Sequence, residues 1–519
     1  MNTNKRSNAC KKRICPYRGV DSVRVEPNIE PPAGSSSQPG GSDSHGVDRH
    51  RTFHVFAGPI VFLLMLIVPV ESMTYEVRCS LGLLVWMSWW WITRPVHLAV
   101  TGFLPLAVVS VFDFAPIARI LPAYATELII LLLSANILTT VWTRWGLDRR
   151  IALASLIGIG TNTTRQILAW FAIGMIFSAF LPNTIVAATM IPIVVAMLRF
   201  VGIEDLWESN LGTALVIAVA WGTSAGGALT PLGGAPNLLT IEFIQETITG
   251  QEFAFTTWVV RFLPLSLAVM AVTFVYVRFA FKPEITEIKG AREYFVGEFN
   301  SLGAMSVQEK WALGLFSIAA LLAFSRPLYA DFIPAFRPAF AFLTCAILCF
   351  LVRPRGEDLM TWEYAQGKMM WGLFYLFAGG TALGRILSET GTAAYIADML
   401  IPYASGGGLV AVIVFATLTI LMTQITSNTA AIAVTVPITI STFQSLDINP
   451  LPFVYIVAAV GNCGFMLPTS AGGPAIAAGY GINLKTMLIK GFWASLLALI
   501  VVVAVGFALA TYWPTFSTA

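Results

Sequence analysis

The chain has 519 residues, of which 56% are hydrophobic and only 11% charged, against about 25% charged in an ordinary soluble protein. Apolar runs near twenty residues long recur along almost its whole length, which points to an all-α polytopic membrane protein. It argues against a soluble bundle and against a β-barrel, whose strands would alternate in short segments. The net charge of +3 and the lack of any basic motif give no sign of a nucleic-acid partner.

Residues 1–52 differ from the rest. They hold Lys5, Arg6, Lys11, Lys12, Arg13, Arg18, Arg24, Arg49 and Arg51, with a Pro/Gly/Ser stretch around Pro31–Ser44. Such a composition predicts a disordered tail. It is not an ordinary signal peptide, because the first apolar run begins only near Phe53 and is long enough to cross a bilayer. Its basic residues hold the tail in the cytoplasm; a lipid-binding or regulatory role is the alternative.

Eleven spans follow, at roughly 53–70, 77–93, 96–112, 124–143, 211–240, 255–280, 309–325, 333–352, 370–388, 450–480 and 488–512. Two further apolar stretches, 165–200 and 406–443, are broken in the middle. The first break reads Leu181-Pro182-Asn183-Thr184, with Pro192 downstream; the second reads Thr426-Ser427-Asn428-Thr429, with Pro437 downstream. Their spacing is the same, since 428 − 183 and 437 − 192 both equal 245, as does 391 − 146 for Gly146 and Gly391. Each stretch has the length of a re-entrant helical hairpin. Non-helical backbone at membrane depth survives only under a cover of protein or beside a water-filled cavity, so each tip is expected to be buried against other helices.

Loop charges set the topology. Arg94, Arg144, Arg149, Arg150, Arg165, Arg278, Lys282, Arg353, Arg355, Lys485 and Lys490 fall on the side of the basic tail. Glu71, Asp113, Glu242, Glu246, Glu252, Glu389 and Asp447 fall on the other, with Arg119 and Arg326 as exceptions. The positive-inside rule then places the N-terminus in the cytoplasm and the C-terminus outside. Residues 53–282 and 309–513 become inverted repeats joined by a cytoplasmic linker, 283–308, with hairpins opening to opposite faces. Duplicated interruptions of this kind are the sequence mark of a secondary-transporter binding site.

Two glycine-rich breaks complete the pattern, Gly226–Asn237 and Gly461–Pro474. Glycine and proline there free carbonyl and N–H groups; a simple kink or close helix packing is the alternative reading. Free carbonyls and Asn oxygens suit a hard cation such as sodium. The helix N-termini after each tip suit an anion, and Asn and Thr are natural caps there. No Lys or Arg lies near either tip in the sequence. Each helix end contributes at most about 2 kcal/mol, so a bound dianion needs coupled cations.

The remaining candidates for chemistry are weak. Cys10 and Cys15 lie in the tail, and Cys79, Cys345, Cys349 and Cys463 lie in or beside apolar spans. Cys345 and Cys349 are one helical turn apart without a neighbouring His, which cannot complete a zinc shell. The four histidines, His45, His50, His54 and His97, lie away from the hairpins, which argues against an enzyme. Duplicated hairpins argue for a gated site rather than a channel.

The chain resembles the divalent anion/sodium symporter family, which moves dicarboxylates, citrate and sulfate. The family mark is a Ser-Asn-Thr motif at each hairpin tip. The second copy is intact here as Ser427, Asn428 and Thr429, and the first carries Pro182 in the serine place. Arg94-Pro95 with His97-Leu98, Gly146-Leu147 with Arg149-Arg150, Trp371-Gly372 and Gly379-Gly380 echo it further, over about residues 53–512. The resemblance implies a homodimer with scaffold and elevator-type transport domains, and one sodium site per hairpin. It implies a first sodium site at Ser178, Asn183 and Gly233, and a second at Thr423, Asn428 and Ser470. Asn183, Thr184, Ser427, Asn428 and Thr429 face the substrate, together with break positions Gly234, Ala471 and Gly472. The chain departs from the family at Pro182, Gly234 and Ala471, where hydroxyl residues are usual. The expected activity is sodium-coupled symport of a divalent anion, a dicarboxylate foremost, in a plasma or bacterial inner membrane. A sodium-independent anion exchanger is the alternative.

Overall fold

The computed structural model describes residues 44–68, 72–404 and 408–518. Residues 51–518 belong to one body. Of the unit before it, only the start of the helix Ser44–Ile67 is described. That helix begins ahead of the span expected from Phe53, and the rest of the expected tail, 1–43, lies outside the described residues. The described chain is helical almost throughout, without a strand; an isolated antiparallel bridge joins Asn162 to Glu287.

Among the described residues, six helical segments are each long and apolar enough to cross a bilayer alone: Ile117–Trp145, Asn183–Phe200, Phe255–Ala280, Val307–Phe324, Gly408–Ile425 and Leu484–Tyr512. The span expected at 77–93 is the unbroken helix Tyr75–Thr93, while several other expected spans are short or broken. The stretch predicted at 96–112 divides into Leu98–Thr101 and Leu104–Phe112. Gly102, between them, lies so close to another helix that a Cβ would sit 2.2 Å from the Tyr375 carbonyl oxygen. Helix starts follow local chemistry. The side chains of Thr74, Thr126, Asn162, Ser209, Ser427 and Asn483 each accept an N–H bond from the first turn that follows, each cap contributing about 1 kcal/mol. Ser306 and Glu309 form a reciprocal capping box, and Glu309 also takes Arg150 Nε at 2.6 Å.

The offset of 245 recurs in the helix starts. Helices start at Leu147, Thr163 and Asn183 in the first half and at Thr392, Gly408 and Asn428 in the second. Each pair keeps the offset, since 392 − 147, 408 − 163 and 428 − 183 all equal 245. Several helices were not foreseen, among them Leu147–Leu156 and Trp362–Lys368. The linker contains a helix, Ala291–Ser301, whose buried Phe295 packs edge-on to Trp170 at 5.9 Å. A further helix, Thr392–Ala404, precedes the second hairpin. The two basic residues that broke the charge pattern are ion-paired: Arg119 with Glu389 at 2.7 Å, and Arg326 with Glu252 at 3.1 Å.

Backbone contacts fix the first hairpin to the first broken helix. Gly222 and Gly226 are four apart on the helix Asn210–Gly226, the small-residue spacing that lets two membrane helices meet. A Cβ on them would lie 2.3 Å from the Phe171 oxygen and 2.1 Å from the Met175 oxygen of the helix Thr163–Ser178. Any side chain there would push the tip away from the break it faces.

Candidate functional site

The first hairpin turns between Ser178 and Asn183, the second between Ile425 and Asn428. Asn183 and Asn428 each open the returning helix. The second tip is capped by the Ser427 side chain, which accepts from the Ala430 N–H at 3.2 Å. Pro182 gives the first tip no such cap. The broken helices restart at Ala235 and Gly472, behind Gly234 and Ala471 in extended backbone.

The two tips and two breaks meet at one cavity of about 530 Å³. Asn183, Thr184, Gly234, Ser427, Asn428, Thr429, Ser470, Ala471 and Gly472 all line it. These include every residue expected to face a substrate. Ser178, Gly233 and Thr423 lie behind it, fully buried. The halves interlock across the cavity floor, where a Cβ at Gly472 would sit 2.0 Å from Thr184 Oγ1. Asn237 Nδ2 donates to the Gly227 oxygen at 2.5 Å and the Thr230 oxygen at 2.8 Å, and Asn237 Oδ1 accepts from Asn462 Nδ2 at 3.2 Å. The two breaks are thereby tied to each other.

Behind the second tip lies a cluster of oxygens. Asn428 Oδ1 is 2.6 Å from Thr423 Oγ1, 2.9 Å from the Ser470 oxygen and 3.2 Å from the Gly461 oxygen. The Thr423 hydroxyl also reaches the Gly461 oxygen at 2.9 Å, and its single proton serves only one acceptor at a time. With its oxygen inward, the Asn428 amide faces an excess of acceptors that a cation would satisfy. Rotated, its NH₂ donates to the same oxygens. Gly464 leaves the room, since a Cβ there would lie 3.1 Å from Asn428 Oδ1. Gln424 braces the cluster: its Oε1 accepts from the N–H groups of Phe465 at 3.1 Å and Met466 at 2.9 Å.

Behind the first tip the arrangement is looser. Ser178 Oγ is buried without a hydrogen-bond partner. The Ser178 and Gly227 oxygens converge on Gly233, 2.7 and 2.3 Å from where a Cβ would stand. Among the described residues, no three His, Cys, Asp or Glu side chains gather as a metal site.

The sequence missed part of the lining. His97, Asn136, Met370 and Trp371 line the cavity from elements other than the tips and breaks, and Asn462 lines it from the second break. Asn136 is 3% exposed, and its Oδ1 has no partner. The offset could have found it: 381 − 136 is again 245, and Thr381 is likewise a buried side chain whose Oγ1 is unpartnered. The expectation that no basic residue lies near a tip is also corrected. Arg94, distant in sequence, donates through Nη2 to the Thr426 oxygen and, at 2.8 Å, to the Thr469 oxygen. It neutralises carbonyl ends around the second tip but does not line the cavity, whose lining holds no Lys, Arg, Asp or Glu.

The comparisons agree with this architecture. The chain is 28% identical over 464 residues to the sodium-dependent dicarboxylate transporter SdcS of Staphylococcus saprophyticus, covering 86% of this chain and 89% of that protein. It is 27% identical over 466 residues to SdcS of Staphylococcus aureus, with the same coverage. Among solved structures, it is similar to the YdaH transporter of Alcanivorax borkumensis, at 14% identity and TM-score 0.53 over 89% of this chain and 99% of that one. MtrF of Neisseria gonorrhoeae is similar at 15% identity and TM-score 0.53, over 88% of this chain and 96% of that one. These likenesses show the fold, that of a helical membrane transporter. A model of the sodium:sulfate symporter transmembrane region matches residues 50–518, and with both tips and both breaks meeting at one cavity the chain belongs to that family of transporters rather than to any class of enzyme.

Proposed function

We propose that the protein is a sodium-coupled symporter of a divalent anion, a dicarboxylate foremost, that works by elevator-type alternating access in a bacterial plasma membrane. The observation that carries the reading is a cavity formed by two duplicated tips whose lining has no Lys or Arg, together with the buried oxygens of Ser178 and Asn136, which have no hydrogen-bond partner. A dianion there gains from helix N-termini only about 2 kcal/mol each. Sodium ions behind the tips supply the missing charge and travel with it. The relatives named sodium-dependent dicarboxylate transporters support the same reading.

In this proposal Asn183, Thr184, Gly234, Ser427, Asn428, Thr429, Ala471 and Gly472 contact the anion. One sodium is bound by Ser178, Asn183 and the backbone at Gly233, the other by Thr423, Asn428 and Ser470. Arg94 holds the second tip, and the protein works as a homodimer. The deciding experiment is uptake of labelled succinate, citrate and sulfate into proteoliposomes with and without a sodium gradient. Uptake is expected to require sodium, with a Hill coefficient above one. Full transport in choline, accelerated only by anion on the far side, would establish a sodium-independent exchanger instead.

We further propose that residues 53–282 and 309–513 are inverted repeats, with the N-terminus in the cytoplasm and the C-terminus outside. The loop charges and the constant offset of the helix starts support this. Single cysteines placed at Arg199 and at Asp447, in a background without native cysteines, are expected to label from opposite faces of intact cells. Labelling from one face would rule out the inversion.

A further inference from the structure

Arg261 is a buried cation that forms no ion pair among the described residues. It stands on the helix Phe255–Ala280 and is 5% exposed. One nitrogen donates to the Tyr455 hydroxyl, and the guanidinium carbon lies 5.4 and 5.8 Å from the ring centroids of Tyr455 and Phe253. No carboxylate is within ion-pair distance of it among the described residues. An ionisable residue inside a membrane protein is costly and marks a function by default. Guanidinium has five N–H donors in a planar fork, and Tyr455 takes only one of them.

The other donors are left to a separate cavity of about 240 Å³, which Arg261 lines with Thr256, Thr257, Thr515, Val260 and Trp513. The helix Phe255–Ala280 begins at this end and the helix Leu484–Tyr512 finishes at it. Tyr512 is 84% exposed and Trp513 follows it, the amphipathic aromatics that mark a membrane boundary. Val260, more than half exposed, opens the cavity sideways. A guanidinium fork beside three hydroxyls matches a tetrahedral oxyanion, which accepts several charge-assisted bonds at once.

We propose that Arg261, Thr256, Thr257 and Thr515 form a phosphate-group site, distinct from the central cavity, filled by a phospholipid headgroup or by free phosphate. Tyr455 belongs to the helix Leu451–Gly461 that leads into the second break, so an occupant here braces that helix from its far end. The test is the unfolding temperature of the delipidated full-length protein in detergent, titrated with phosphatidylglycerol, with diacylglycerol of the same chains, and with inorganic phosphate. Phosphatidylglycerol is expected to raise it by about 2–4 °C and diacylglycerol not to. A matching rise with inorganic phosphate would identify the free anion as sufficient; no such rise would assign the site to lipid. Arg261→Gln is expected to lose the shift. The double variant Thr256→Val/Thr257→Val, which keeps the cation, is expected to weaken it. Asn428→Ala, altered in the central cavity, is expected to retain it. An equal shift with diacylglycerol, a full shift in Arg261→Gln, a shift lost in Asn428→Ala, or none in the native protein would overturn the proposal.

Discussion

Asn428→Ala is expected to abolish sodium-driven uptake while the protein still folds and elutes as the native protein does. The amide sits among Thr423 Oγ1 at 2.6 Å and the Ser470 and Gly461 oxygens at 2.9 and 3.2 Å. Alanine removes one ligand of the proposed cation and, in the ion-free state, an NH₂ that those carbonyls accept from alongside the Asn428 N–H and the Thr423 hydroxyl. Leaving buried polar groups unsatisfied costs about 1–3 kcal/mol, which as binding energy is a loss of about 5–150-fold. Substrate contact at the same residue multiplies the loss. Asn183→Ala, at the equivalent place on the first tip, is expected to be similarly inactive. Uptake assays paired with size-exclusion profiles check both; normal uptake in the two variants would make the tips mere structural hydrogen-bond sites.

Much of the tip geometry could be read from the sequence, because it depends on local chemistry. Hairpins expected at 165–200 and 406–443 are helices Thr163–Ser178 with Asn183–Phe200, and Gly408–Ile425 with Asn428–Ser445. Pro182 at the first tip and the Ser427 cap at the second announce themselves, as do the Gly and Pro residues of the two broken helices. What one element brings to another does not. Arg94 reaches the Thr426 and Thr469 oxygens from over three hundred residues away, and nothing in its own neighbourhood predicts that. Asn136 hides as a lone polar residue in an apolar run, and only its offset to Thr381 gives it away.

The departures from the family pattern take on a physical meaning in the structure. Pro182, Gly234 and Ala471 remove hydroxyls from the cavity's tip and break side. Polar groups also line it through Asn136 and His97, from other elements, and through Asn462 of the second break. The donor inventory of the cavity is therefore shared with elements outside the tips. The substrate-facing set carried over from the resemblance is the part of the wall that the repeat encodes; the rest comes from helices that only folding brings near.

Ser178→Ala and Thr423→Val separate a sodium site from a packing detail. Thr423 Oγ1 reaches the Gly461 oxygen at 2.9 Å and Asn428 Oδ1 at 2.6 Å. Valine keeps the shape but removes the one proton that either acceptor could take, so Thr423→Val is expected to lose stability by about 1–3 kcal/mol as well as sodium affinity. Ser178 Oγ is buried and has no partner. An orphaned hydroxyl already costs the sodium-free fold its desolvation, so Ser178→Ala is expected to leave the unfolding temperature in choline unchanged or slightly raised. With sodium present the order reverses. Native protein is expected to gain stability as sodium is added, by mass action, and Ser178→Ala to gain less. The sodium concentration for half-maximal uptake is expected to rise about tenfold in Ser178→Ala, the equivalent of about 1.4 kcal/mol of binding energy. The apparent substrate constant at saturating sodium should move much less. A variant with native sodium dependence in both uptake and unfolding would leave Ser178 as an unsatisfied packing residue, and the first tip without its proposed cation.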